Sequence, residues 1–179
     1  MCGIVSYIGD QDPVPILIKG LRRLEYRGYD SAGLALLDGG NLSSIKKAGK
    51  VSELSDQISS NPIKGDCGIA HTRWATHGVP NDVNAHPHLD KTGKIALVHN
   101  GIIENYDAIK KTLESRGVIF KSETDSEVLV QLISELYYNG DEKLDFKDSV
   151  KAALQEVVGA YGIVAMCSDE PNTLVAARM

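Results

Sequence analysis

The residues with the means for acyl transfer are few and far apart in this chain: Cys2, Arg73, Asn100, Gly101 and Asp125. Cys2 directly follows Met1, so loss of one initiator residue places a thiol and a free amine on the same amino-terminal residue. Both groups exchange protons near neutrality, and a nucleophile then carries its own base. With Met1 in place the Cys2 nitrogen is an amide without basicity, and the cysteine needs no role at all.

Thiolate attack on an amide needs donors aimed at the developing oxyanion. Asn100 offers a side-chain amide, and Gly101 a backbone N–H that can approach a substrate with no Cβ in the way. The same dipeptide is a common hairpin turn, and that reading stands beside the first. Arg73, in His71-Thr72-Arg73-Trp74-Ala75-Thr76-His77-Gly78, has the planar fork that takes a carboxylate through two parallel bonds, with Thr76 and His77 as further donors. The alternative is a solvated loop arginine beside a packed tryptophan. Trp74 suits a lid whose large ring excludes water on closing. Asp125 falls in the first turn of a helix, where the dipole favours a carboxylate by about 0.3 to 1 kcal/mol without any ligand. Its functional reading is an anion for an ammonium. One guanidinium and one carboxylate together suit an α-amino acid substrate.

A competing constellation is His86-Pro87-His88 with His71 and His77 around a metal. Proline between two histidines fits no ligand spacing of a tetrahedral zinc site, so neither metal nor other cofactor is expected.

These residues must be positioned by a domain of 179 residues with 42% hydrophobic content, enough for one core. A formal charge of -5 without basic blocks argues against nucleic acid or an anionic membrane as partner. No apolar run is long enough to span a bilayer, and no leader pattern opens the chain, so a cytosolic protein is expected. Cys67 and Cys167 lie in apolar runs and read as reduced core residues.

The pattern predicts strands at Gly3–Ile8, at Ser31–Leu37 and Leu42–Lys46 around the turn Asp38-Gly39-Gly40-Asn41, at Cys67–His71, and at Lys94–His99 ending in Asn100-Gly101. Gly162–Cys167 and Thr173–Ala177 form a last hairpin. Helices are predicted from Pro13, capped by Asp12, to about Tyr26; at Val51–Ser60; from the Asn105 cap to Arg116; and from the capping box Thr124-Asp125-Ser126-Glu127 to Tyr138. A further helix carries Phe146, Val150, Leu154 and Val157 on one face. Between them, residues 72–91 read as a polar functional loop. Segregated strands and helices point to an α+β fold of antiparallel sheets with helix layers. Met179 directly follows an apolar strand, and the chain is expected to be cut from something longer.

Six ordered blocks carry a family resemblance: Cys2-Gly3-Ile4-Val5; Leu21 to Gly33 with its Glu25-Tyr26-Arg27-Gly28-Tyr29-Asp30-Ser31 centre; His71 to Gly78; Asn84-Ala85-His86-Pro87-His88; His99 to Asn105; and Ser122-Glu123-Thr124-Asp125. Over essentially its whole length the chain resembles the class II glutaminase domains of the glutamine:fructose-6-phosphate aminotransferase (isomerizing) family. The resemblance implies an N-terminal nucleophile hydrolase, a four-layer αββα sandwich of antiparallel sheets. It implies Cys2 as nucleophile with its amine as base, Asn100 and Gly101 as the oxyanion hole, and Arg27 and Gly28 near the cysteine. Arg73, Thr76 and His77 would hold the glutamine α-carboxylate, Asp125 its α-amine, and Trp74 would close over it. It further implies hydrolysis of the glutamine side-chain amide through a thioester, and delivery of ammonia to a synthase domain of the same longer chain. There fructose 6-phosphate becomes glucosamine 6-phosphate in a homo-oligomeric enzyme. By the same resemblance, that sugar-binding domain and the last glutaminase strands are expected to lie beyond the present sequence. A glutamine-binding module that keeps Met1 and does no chemistry is the competing expectation.

Overall fold

The computed structural model describes residues 2–75, 77–140 and 143–179. Two antiparallel sheets form its centre. The first has the order β1-β4-β2-β3, from β1 (Gly3–Ile8), β2 (Ser31–Asp38), β3 (Asn41–Ala48) and β4 (Cys67–Arg73). The second has the order β5-β6-β7-β8, from β5 (His88–Leu89), β6 (Ile95–Gly101), β7 (Tyr161–Cys167) and β8 (Leu174–Arg178).

The sheets face each other through Ala35, Leu37, Cys67 and Ile69 on one side and Ala96, Val98, Val164 and Met166 on the other. β2 and β4 read as buried along nearly their whole length because both of their faces are covered. Outside the first sheet lie α1 (Pro13–Leu24) and α2 (Val51–Ser60), which bury Leu17, Leu21, Val51 and Leu54 against Leu34, Leu36 and Ala70. Outside the second lie α3 (Tyr106–Ser115), α4 (Asp125–Asn139) and α5 (Phe146–Gln155), packed on Ile95, Leu97, Ile163 and Ala165. The result is the expected αββα sandwich. Burying both thiols pushes Cys67 up to about 11 and raises Cys167, as suits core residues.

Local chemistry explains most boundaries. Asp12 Oδ1 accepts from Val14 N–H at the start of α1, and Pro13 fills the first position without losing a needed donor. The β2–β3 turn places Gly39 and Gly40 at φ of 54° and 89°, the left-handed pair of a tight hairpin.

Other boundaries depart from the sequence pattern. α1 ends at Leu24 and tightens into a 3₁₀ turn over Glu25–Arg27. Asn105 sits at the cap position of α3, yet its side chain bonds Glu156 C=O and Val158 N–H instead of its own helix. Thr124 Oγ1 caps α4 through Glu127 N–H, but the Glu127 carboxylate turns to the N–H groups of Lys121 and Ser122, so half of the predicted capping box forms. β4 runs two residues past His71, because Thr72 pairs with Gly3 and Arg73 with Ser31. Within the predicted loop, His88 and Leu89 form β5 against Leu97 and Ala96.

Candidate functional site

The start of β1, the ends of β4 and β6 and the first turn of α4 meet around a cavity of about 510 Å³. Its wall includes Cys2, Arg27, Arg73 and Trp74 from the first sheet and its loops, and Asn100, Gly101, Ile102 and Asp125 from the second half of the chain. Residues more than a hundred positions apart, such as Cys2 and Asp125, are thus brought together by the stacking of two sheets.

Cys2 is half-buried, and its Sγ accepts from the Trp74 backbone N–H at 3.2 Å. Asn100 and Gly101 are strand residues paired with Gly162 and Tyr161, so the hairpin-turn reading is wrong here. The pairing also decides where the Gly101 N–H points. Ile102 N–H donates to Ala160 C=O at 3.2 Å, which makes Gly101–Tyr161 a pair without mutual hydrogen bonds and turns the Gly101 N–H to the opposite edge of β6. On that edge β5 pairs only with Leu97 and Ala96. Glycine is required for a second reason: φ is 123°, and a Cβ would lie 2.1 Å from Ala160 O. Asn100 Oδ1 lies 2.7 Å from His71 Nε2.

Arg73 is the last residue of β4 and only 3% exposed, not a solvated loop arginine. One guanidinium nitrogen, Nη2, donates to the carbonyls of His77 and Gly78, while Nη1 lies 3.9 Å from Asp30 Oδ1 and has no hydrogen-bond partner among the described residues. A buried, unpaired guanidinium N–H on a cavity wall is costly without a ligand. Asp30 supports the same segment by accepting from Ala75 N–H. The His77 ring lines the cavity, packs edge-on against Tyr106, and leaves its buried Nδ1 without a partner among the described residues. Thr76 lies outside the described residues. Trp74 is 55% exposed at the rim. Gly28, at φ 74°, backs the Trp74 ring, which a Cβ there would approach to 3.2 Å; Gly28 therefore meets the site through Trp74, whereas Arg27 lines the wall.

Asp125 opens α4 and is 3% exposed, with Oδ2 accepting from Ile103 N–H at 2.9 Å. Beside it runs a network that the sequence reading did not place in the site. Ser126 Oγ lies 2.9 Å from His86 Nε2 and 2.8 Å from His99 Nδ1, and all three residues line the cavity. Burial lowers the pKa of both imidazoles; the Asp125 carboxylate opposes this at His99, and the neighbouring His77 adds to it. His86 and His88 thus hold serine and threonine hydroxyls, His88 Nε2 lying 3.0 Å from Thr124 Oγ1. The available signal was in the blocks holding His86 and His99 and in the capping box holding Ser126, which mark the positions but not that their side chains converge.

Residues 55–146, just over half the chain, match the glutamine amidotransferase domain family. The match spans Arg73, Asn100 and Asp125, and begins after Cys2. The chain is 55% identical to a glutamine–fructose-6-phosphate aminotransferase (isomerizing) of Bacteroides thetaiotaomicron, over 99% of this chain and 29% of the relative. It is 53% identical to the corresponding protein of Chlorobaculum tepidum, with the same shares of each. It therefore spans less than a third of the length of these relatives. Among solved structures, glutamine phosphoribosylpyrophosphate amidotransferase of B. subtilis superposes with a TM-score of 0.79 at 30% identity, over 99% of this chain and 36% of that one. An allosteric regulatory enzyme of purine biosynthesis does so with a TM-score of 0.82, also at 30% identity, over 99% of this chain and 37% of that one. With the α+β sandwich of an N-terminal nucleophile hydrolase, a cysteine at the mouth of β1 and the family match over most of the cavity wall, the chain belongs to the class II glutamine amidotransferase domain family.

Proposed function

We propose that this domain hydrolyses the side-chain amide of glutamine to glutamate and ammonia. The observation that carries this reading is the convergence of Cys2, Asn100, Gly101, Arg73 and Asp125 on one cavity. The Cys2 α-amine takes the thiol proton, and the sulfur attacks the amide carbon. Asn100 Nδ2 and the Gly101 N–H receive the oxyanion. Collapse expels ammonia with the proton returned by the amine, leaving a glutamyl thioester that water cleaves to glutamate and free thiol. Arg73, with His77 and Thr76, takes the α-carboxylate, and Asp125 the α-ammonium. Arg27 and Gly28 shape the cysteine side, and Trp74 covers the bound substrate.

In a longer chain like its relatives, the ammonia would aminate fructose 6-phosphate in a synthase domain to give glucosamine 6-phosphate, in a cytosolic homo-oligomer. No helix among the described residues is long and apolar enough to cross a membrane. No observation favours the glutamine-binding module without chemistry.

The test is glutamate release by protein whose intact mass shows Cys2 as the amino terminus, set against protein retaining Met1. Release from the first alone is the expected result. Equal release from both would remove the α-amine as base, and none from the first would overturn the reading.

A further inference from the structure

We propose that His71 is a positioning residue that sets which end of the Asn100 amide faces the cavity. The proposal rests on the reading of Asn100 as an oxyanion donor. An asparagine amide has a donor end and an acceptor end of nearly the same shape, and only the donor end can stabilise an oxyanion. A half-turn about the terminal bond would point Oδ1 at the developing negative charge. His71 Nε2 lies 2.7 Å from Asn100 Oδ1, close enough to hold one of the two orientations.

The surroundings of His71 decide which. His71 is fully buried in the middle of the first sheet, paired with Ile4 and Gly33, and its ring lies 4.2 Å from that of His86. Its Nδ1 is buried with no hydrogen-bond partner among the described residues. If Nε2 carries the proton, it donates to Asn100 Oδ1 and only a lone pair goes unpaired at Nδ1. If Nδ1 carries it, Asn100 must turn over to donate to Nε2, against the observed approach of Oδ1 to that nitrogen, and the N–H at Nδ1 has no side-chain acceptor among the described residues. The first arrangement is the one that fits the observed contact. Burial also lowers the His71 pKa to about 4, which keeps the ring neutral and excludes a proton on both nitrogens at neutral pH. The ring is fully buried against that of His86, which hinders it from swinging away.

Two measurements test this. In the ¹⁵N spectrum of the unmodified protein, His71 is expected as the Nε2–H tautomer; an Nδ1–H tautomer overturns the proposal, whether or not the protein turns over glutamine. Kinetically, His71→Leu is expected to lower kcat for glutamate release by about 10²- to 10³-fold, the loss typical of one oxyanion donor, with KM changed less than about threefold. His71→Gln, which offers an N–H near the position of Nε2, is expected to recover most of it. Alkylation of Cys2 by iodoacetamide should keep its rate in both variants. In an Asn100→Ala background, His71→Leu should cost nothing further. A full additional loss there, or an unchanged kcat in the single variant, overturns the proposal. Should His71→Leu fail to fold, the tautomer and the His71→Gln kinetics decide. A parent protein that releases no glutamate but shows the Nε2–H tautomer defeats the glutaminase reading and leaves the His71–Asn100 orientation standing.

Discussion

The backbone N–H of Trp74 donates to Cys2 Sγ at 3.2 Å, so the nucleophile candidate is held by the main chain of a residue whose side chain lines the cavity rim. One residue therefore does two separable things. Cys2→Ala is expected to reduce glutamate release at least about a thousand-fold, because among the described residues no other thiol lines the cavity. Trp74→Ala keeps the N–H, so iodoacetamide should alkylate Cys2 within about threefold of the parent rate while kcat/KM falls by about tenfold or more from poorer exclusion of water. A collapse of both rates together would show that the ring, not the N–H, holds the sulfur.

Arg73 carries structure as well as the substrate role proposed for it. Its guanidinium bonds two loop carbonyls and faces Asp30 at 3.9 Å while almost fully buried. Arg73→Ala should raise the KM for glutamine by about a hundred-fold or more and also cost about 2 to 4 kcal/mol in urea unfolding, since two carbonyls lose their donor and the Asp30 carboxylate loses its facing cation. Arg73→Lys should restore much of the stability but little of the affinity, because an ammonium lacks the fork. Parental glutamine affinity in Arg73→Ala would remove it from the carboxylate site.

Gly101→Ala tests the close approach of β6 to the residue before β7. With φ at 123° and Ala160 O 2.1 Å from the added carbon, the methyl group cannot be accommodated without displacing backbone. A loss of about 2 to 4 kcal/mol is expected, together with a fall in kcat as the Gly101 N–H is moved. Unchanged stability would mean that the strand end has room the structure does not show.

Stability should fall steeply with acid. His71 is held at about 4 against an unfolded value of 6.5, because burial disfavours its charged form. Below 6.5 the unfolded chain binds a proton that the native ring refuses, so stability rises with pH through this window and is lost as pH falls. For His71 alone the loss is about 2 kcal/mol between pH 7 and pH 5. His86 and His88 act in the same direction, as does His99, where Asp125 offsets part of the effect. Urea midpoints at pH 7, 6 and 5 check this, and a flat profile would contradict the burial of these rings.

Local signals in the sequence settled the elements. Asp12-Pro13 began α1, Gly39-Gly40 closed the β2–β3 hairpin, and the α2 and β1 boundaries fall where the pattern put them. These features depend on a residue's own backbone preferences and on neighbours a few positions away. The pattern was weaker where a distant strand overrode it: Thr72 and Arg73 are strand because Gly3 and Ser31 pair with them, and Asn100-Gly101 continues β6 because Gly162 and Tyr161 stand opposite.

For the site, the residue types alone specified a nucleophile, an amide donor, a guanidinium and a carboxylate, and the ordered blocks joined them into one family. What only the tertiary structure decided is their orientation. Which way the Gly101 N–H points follows from its register with Tyr161, and which end of Asn100 faces the cavity follows from His71 on the other sheet. Both depend on pairings between residues that the chain places far apart. A sequence records the groups available for such bonds, but the packing of one sheet on the other selects which of them form.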